Sequence, residues 1–210
     1  EKGGNVMMTT GNDGYTKYGF KLSTGLLEND WAATVSLSRT TGEQFVDATT
    51  IDAYSYFLNV AKKIGENHEL SFTAFGAPQR HGQRQNRLLI DDYRRSERGI
   101  RTNTDFGYKN GQLVNIEDNF YHKPQMSLNH YWTINDISSL TTAVYYSFGT
   151  GGGGGTAGTN KFGKYDTDYR TQEFGPVDLD KIIAENKALG QATSAETFLR
   201  ASRNNHQWYG

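Results

Sequence analysis

Between Asp52 and Ala77 two long segments of alternating side chains meet at a three-residue turn. In the first, Tyr54, Tyr56, Leu58, Val60 and Ile64 share one parity and Ala53, Ser55, Asn59, Ala61 and Lys63 the other, with Phe57 the one large apolar residue on the second set. After Gly65-Glu66-Asn67, Leu70, Phe72 and Ala74 oppose Glu69, Ser71 and Thr73. A period of two is the mark of strands, whose successive side chains point to opposite faces. These strands are long: soluble ones usually run five or six residues. Ten or eleven residues at ~3.3 Å each, tilted by ~45°, rise about 25 Å, the height of the apolar band of an outer-membrane barrel.

The rest of the chain repeats this pattern. Alternation is legible over 5–11, 15–26 (Tyr18, Phe20, Leu22 and Leu26 on one face), 31–41, 125–134 and 139–149, and 206–210 reads as the start of a further strand. The connections sort by length. One set is short, at 27–30, 65–67 and 135–137; the other, at 11–14, 42–51, 78–123 and 150–205, is longer on average. The two sets alternate strictly, so in an up-and-down meander one end is trimmed and the other elaborated. Outer-membrane barrels do this, with short periplasmic turns and long extracellular loops. A sandwich has no physical reason to. Trp31 and Trp132 lie on the apolar parity beside short turns, where interfacial rings belong. The expected fold is therefore all-β: an antiparallel up-and-down meander, part of a transmembrane β-barrel with long extracellular loops. Apolar Tyr54, Tyr56, Leu58 and Phe72 should meet lipid, and Ser55, Asn59, Ser71 and Thr73 the lumen.

Composition fits that reading without requiring it. The chain is only 35% hydrophobic yet 13% aromatic, with 24 glycines, as a wet lumen and aromatic girdles demand. A net charge of -1 gives no reason to expect a nucleic-acid partner. With no cysteine, disulfides and thiol chemistry are excluded. No apolar run approaches the ~18 residues of a membrane helix. The chain opens on Glu1 without Met, as a piece or a processed form of a longer protein would.

Candidate chemistry concentrates in the long connections. Arg80, Arg84, Arg87, Arg94, Arg95, Arg98 and Arg101 could grip an anionic ligand through bidentate guanidinium contacts. The plainer reading pairs them locally with Asp91, Asp92 and Glu97. The five histidines show no metal-ligand spacing, although His81 and His122 bracket the 78–123 connection. Gly151–Gly155 lacks the Lys-Ser/Thr of a phosphate loop and reads as flexible loop. Residues 178–189 have helical character, with Leu179, Ile182, Ile183 and Leu189 near one face after Pro176. No nucleophile elbow or acid/base carboxylate pair is present, so no enzyme, metal or cofactor is expected.

Several stretches resemble the TonB-dependent outer-membrane receptors: Gly14-Tyr-Thr-Lys-Tyr18 with Ser23-Thr-Gly25, Trp31 through Ser38-Arg-Thr-Thr-Gly42, Ala53-Tyr-Ser-Tyr-Phe57, Phe75-Gly-Ala-Pro-Gln79, Asn119-Phe-Tyr-His-Lys-Pro124, Tyr145-Tyr-Ser-Phe-Gly149 and Asn205-His-Gln-Trp-Tyr-Gly210. The resemblance is spread over nearly the whole chain. It implies that residues 1–210 form a partial β-barrel domain, the N-terminal barrel strands, without plug or remaining strands. It further implies a cell outer-membrane transporter for a scarce nutrient (siderophore, cobalamin, glycan or peptide), energised by the TonB complex through the plug. Its partners would be outer-membrane lipid, the small nutrient ligand and a surface lipoprotein. Arg80, His81, Arg84, Tyr121 and His122 are the residues expected to line the ligand entrance. Two alternatives stand beside it: a soluble or surface β-domain binding protein or glycan, and a small eight-stranded outer-membrane barrel.

Overall fold

The computed structural model describes residues 1–158, 167–189 and 197–209, the last of these and 157–158 as backbone only. Strands β1 (Lys2–Thr10), β2 (Thr16–Leu26), β3 (Trp31–Glu43), β4 (Thr50–Ile64) and β5 (His68–Gly76) form an antiparallel meander. It continues through β10 (Gln125–Asn135), β11 (Ser138–Gly158) and β13 (Thr197–Tyr209). The fold is all-β, as the alternation requires. Turns at 27–30, 65–67 and 136–137 close one end, two of them through positive φ at Asp30 and Gly65. At the other end lie a turn around Asp13 and Gly14, a connection at 44–49, and the two long excursions.

Pairing register carries the polar–apolar division across the sheet. One row reads Leu22, Val35, Leu58, Ala74, Met126 and Tyr146; the row beside it on the other face reads Ser23, Thr34, Asn59, Thr73, Ser127 and Tyr145. On the polar face the side chains bond one another, Asn59 Nδ2 donating to Ser71 Oγ and Thr73 Oγ1 at 2.9 Å, and Ser38 Oγ meeting Ser55 Oγ at 2.7 Å. Phe57 and Phe75 are paired intruders there. On the apolar face none of the described residues covers the side chains: Leu22 is 56% exposed, Leu128 48% and Val144 64%. Leu26 leaves the apolar row that the alternation assigns it. A bulge at Thr24 and Gly25, whose φ of 63° suits glycine, brings it opposite Ala32 instead.

The connection at 78–123 is less irregular than its composition suggests. Its first and last residues form β6 (Gln79–Gly82) and β9 (Asp118–His122), which extend β5 and β10 beyond Pro78 and Pro124. The interruption costs hydrogen bonds but no register. Phe75 faces Gln125 below the prolines and Gln79 faces Tyr121 above them, in one unbroken count. Tyr54 N–H donates to the Pro78 carbonyl at 2.8 Å, and Pro78 has no N–H to return. Beyond the break β6 pairs β4, and β9 pairs β11, so the wall stays continuous.

Gly151–Gly155 is not flexible loop. It lies within β11, hydrogen-bonded to β9 on one side and β13 on the other. Glycine is required by close approach. A Cβ on Gly153 would sit 2.6 Å from the Asp118 carbonyl oxygen, and one on Gly154 would collide with that of Ile116. Gly154→Val should therefore open the β9–β11 ladder, raising amide exchange at 119–122 while β2–β4 keep wild-type protection; overpacking of this kind costs about 1–3 kcal/mol.

Candidate functional site

The long excursions fold against each other above the sheet. Residues 83–117 hold helix α1 (Ile90–Arg95), a 3-10 turn at Gly99–Arg101 and the hairpin of β7 (Phe106–Lys109) and β8 (Gln112–Asn115). From the second excursion, β12 (Val177–Asp178) pairs parallel with β7 and leads into helix α2 (Leu179–Ala188), with Asp178 accepting from Lys181 N–H as its cap. Ile116, Val177, Leu179 and Ile182 form a buried cluster with Val114 and Tyr169 against it. Leu189, expected on the buried face of this helix, is exposed past its end.

A run of polar residues is buried at the centre of this cap. Asp105 accepts from the N–H groups of Gln85 and Asn86 and from the Asn86 side chain. Asn103 donates to the Asp47 carbonyl at 2.8 Å and accepts from Asp105 N–H at 2.9 Å. Asn115 donates to the Ala48 and Gln83 carbonyls, and buried Arg170 reaches the Thr104 and Gly175 carbonyls. These groups satisfy loop backbone that has no ladder to join. Alternation arguments pass over them, although a Thr-Asn-Thr-Asp run at 102–105 is the kind of sequence that bonds its own backbone.

Around this centre the arginines act as ties between loops. Arg95 pairs Asp91 and Asp92 on its own helix and Glu173 on the other excursion, at 3.4, 2.9 and 3.1 Å. Arg98 clasps both Asp47 oxygens at 2.8 Å, reaching the 44–49 connection. Arg101 reaches Asp13 in the first turn and stacks over Phe45. The local partners expected from sequence thus account for only part of the pairing; Asp13, Asp47 and Glu173 come from other loops. A cleft of about 280 Å³ runs between the excursions, with Arg95, Arg98, Asn103, Phe106 and Phe174 on its walls. Among the described residues no three His, Cys, Asp or Glu side chains converge to hold a metal ion.

The five residues expected at a ligand entrance do not converge. Arg80 and His122 project on the apolar-parity face, where Arg80 pairs Asp118 and lies over Phe120, and His122 Nε2 contacts Tyr56 Oη at 2.9 Å. His81 and Tyr121 project on the opposite face, so His81 and His122 do not meet across the loop. Arg84 is committed to the Ile100 and Thr102 carbonyls, both at 3.0 Å, with Tyr93 beneath its guanidinium. On the polar face, Phe57, Phe75 and Lys123 border an opening of about 330 Å³ beside the proline break. Burial pushes the His81 imidazole below its ordinary range, with Asp118 partly offsetting the effect.

No family model and no curated protein matches the chain. Among solved structures it is similar to the ferric-catecholate import receptor Fiu from E. coli K12, with a TM-score of 0.58 and 11% identity. The superposition covers 76% of this chain and 23% of the receptor, so the chain spans about a quarter of that protein. At such identity the likeness is one of fold.

Two measurements probe the cap. Asp105→Ala strands two backbone N–H groups, a loss of about 1–3 kcal/mol for each buried group left unpaired, and should make 83–117 sensitive to limited proteolysis while the sheet resists. His81 binds its proton less readily folded than unfolded. The stability that His81 lends to the β6 edge beneath the cap is thus full above the ordinary imidazole pKa of about 6.5 and declines as pH falls from there toward the depressed folded value. Amide exchange of 79–82 against pH should show that decline, and His81→Gln should flatten it.

Proposed function

We propose that the chain is the wall and outer-loop portion of a TonB-dependent outer-membrane transporter that takes up a scarce nutrient. The observation that carries this is the apolar face. Seven long strands present a continuous apolar surface that no part of the described chain covers, while the larger buried side chains, Leu179, Ile182 and Val177, all lie in the cap. A soluble domain would bury that face against a second layer. A bilayer takes its place. The barrel strands of a transporter need no further core, because lipid solvates one face and the lumen and plug the other.

The similarity to Fiu supports the same reading and suggests a ferric siderophore as the first ligand class to test. In this arrangement Gly65-Glu66-Asn67 lies at the periplasmic end, the cap faces outward, and TonB acts through a plug. The polar-face residues His81 and Tyr121 are positioned to meet an incoming ligand, as are the cleft residues Arg95 and Arg98. Arg80, Arg84 and His122 contribute to the framework instead. We assign no catalytic chemistry to the chain. Within the described residues β1 and β13 each have one sheet neighbour, which argues against closure of these eight strands on themselves.

Leu58→Arg tests the bilayer reading. A charge near the midplane on the lipid face costs about 2–4 kcal/mol, and the variant should fail to assemble into the outer membrane, measured by loss of the heat-modifiable folded band; Ser55→Arg on the polar face should assemble. Normal assembly of Leu58→Arg would remove the basis of the proposal. If it fails as expected, deletion of 83–117 in the intact protein should abolish ferric-siderophore-dependent growth with the wall retained.

A further inference from the structure

At the short-turn end two histidines meet head to head. His68 opens β5 directly after the 65–67 turn, and His130 lies diagonally across on β10, both on the apolar face. His68 Nδ1 and His130 Nε2 are 3.0 Å apart, and the ring planes differ by 9°. The ring centroids are 5.2 Å apart, farther than the nitrogens by about two ring radii. The rings therefore lie nearly in one plane with nitrogens facing, rather than one above the other. Trp132, directly opposite His68, stacks on its ring with centroids 5.4 Å apart.

We propose that this pair binds a single monovalent d10 metal ion of the Cu(I) class in place of the shared proton. In the neutral pair one facing nitrogen carries hydrogen and the other a lone pair on the same line. If the donor ring shifts its proton to its outer nitrogen, two lone pairs point at a common centre with no net loss of protons. That is the donor set of a linear two-coordinate ion. Imidazole suits copper, whereas zinc seeks four tetrahedral ligands, and no third His, Cys, Asp or Glu joins the two among the described residues. Metal–nitrogen bonds of about 2 Å need the nitrogens about 4 Å apart, an opening that rotation of two partly exposed side chains can supply.

Surrounding charge selects a small ionic charge. The apolar-face neighbours are Lys62 and Ile64 on β4, Leu70 on β5, Trp132 on β10, and Leu140 and Thr142 on β11. Lys62 is the only charged one, held by the Asn29 carbonyl and over Trp31. Glu69 and Lys63 lie on the other face. A divalent ion would meet a neighbouring cation with no carboxylate to balance it; a monovalent ion meets less repulsion and gains the face of Trp132 through its ligand. The inference rests on the sheet register and not on the transport reading.

Ag(I), a redox-stable linear ion, is the probe. Titrated calorimetrically into the folded protein in detergent at neutral pH, it should bind with one more equivalent than in His68→Gln, His130→Gln or the double variant, and the double should lose no more than either single. Sites elsewhere, including Met7, Met8 and Met126, are common to all four and cancel. Independently of any variant, Ag(I) should protect His68 and His130 together from diethyl pyrocarbonate in the wild-type protein at neutral pH. Equal stoichiometry across the four proteins, or modification of the two histidines at the same rate with and without Ag(I), would overturn the assignment. So would Zn(II) protecting them at the same concentrations as Ag(I).

Discussion

The backbone N–H and C=O groups of the wall pair sideways, strand to strand, in the plane of the sheet. A buried backbone group left unpaired costs about as much as a lost hydrogen bond. This constraint explains why the register is kept where the sequence would break it. Pro78 and Pro124 each delete a donor, yet Gln79 still faces Tyr121 in the count that sets Phe75 against Gln125. Tyr54 N–H still finds the Pro78 carbonyl, and the Ser147 hydroxyl donates to that of Pro124. A slip of one residue at this level would turn every side chain of β6 and β9 to the wrong face. The glycines of β11 serve the same end, allowing the 116–119 backbone to approach closely enough to pair.

Lateral bonding leaves the wall without an apolar core, and among the described residues the buried apolar side chains lie in the loops above it. The cap's apolar cluster is small, around Ile116, Val177, Leu179 and Ile182. Long-range order there comes from polar contacts, with Asp105 and Asn103 at the centre and Arg95, Arg98 and Arg101 each reaching a different loop. Exposed ion pairs contribute little singly, a median near 0–1 kcal/mol, but three from one seven-residue segment tie down its position. The same guanidiniums that make the segment look like an anion trap are occupied by carboxylates of neighbouring loops. Any anionic ligand entering the cleft would have to compete with Glu173 and Asp47.

Much of the wall is legible in the sequence because a strand's two faces carry opposite side-chain chemistry at a period of two. The parity of Leu58 against Ser55, the short turns at 27–30 and 65–67, and helix α2 behind its Asp178 cap are all local signals. The candidate site is far less legible. His81 and His122 bracket one connection and look convergent, but their positions on paired strands differ by an odd number of residues, which sends them to opposite faces. The His68–His130 contact spans two strands distant in the chain and carries no spacing motif.

By itself the sequence determined the period and the order of the long strands, and which end carries the large loops, since each depends on neighbours within a few residues. Tertiary structure alone decided where those loops dock, that Gly151–Gly155 is strand, and which carboxylate each arginine holds. Those outcomes depend on close approach between segments far apart in the chain: Gly154 against Ile116, Arg101 against Asp13, Arg170 against Thr104. Alternation specifies a face, but not the distant residue that will come to lie against it.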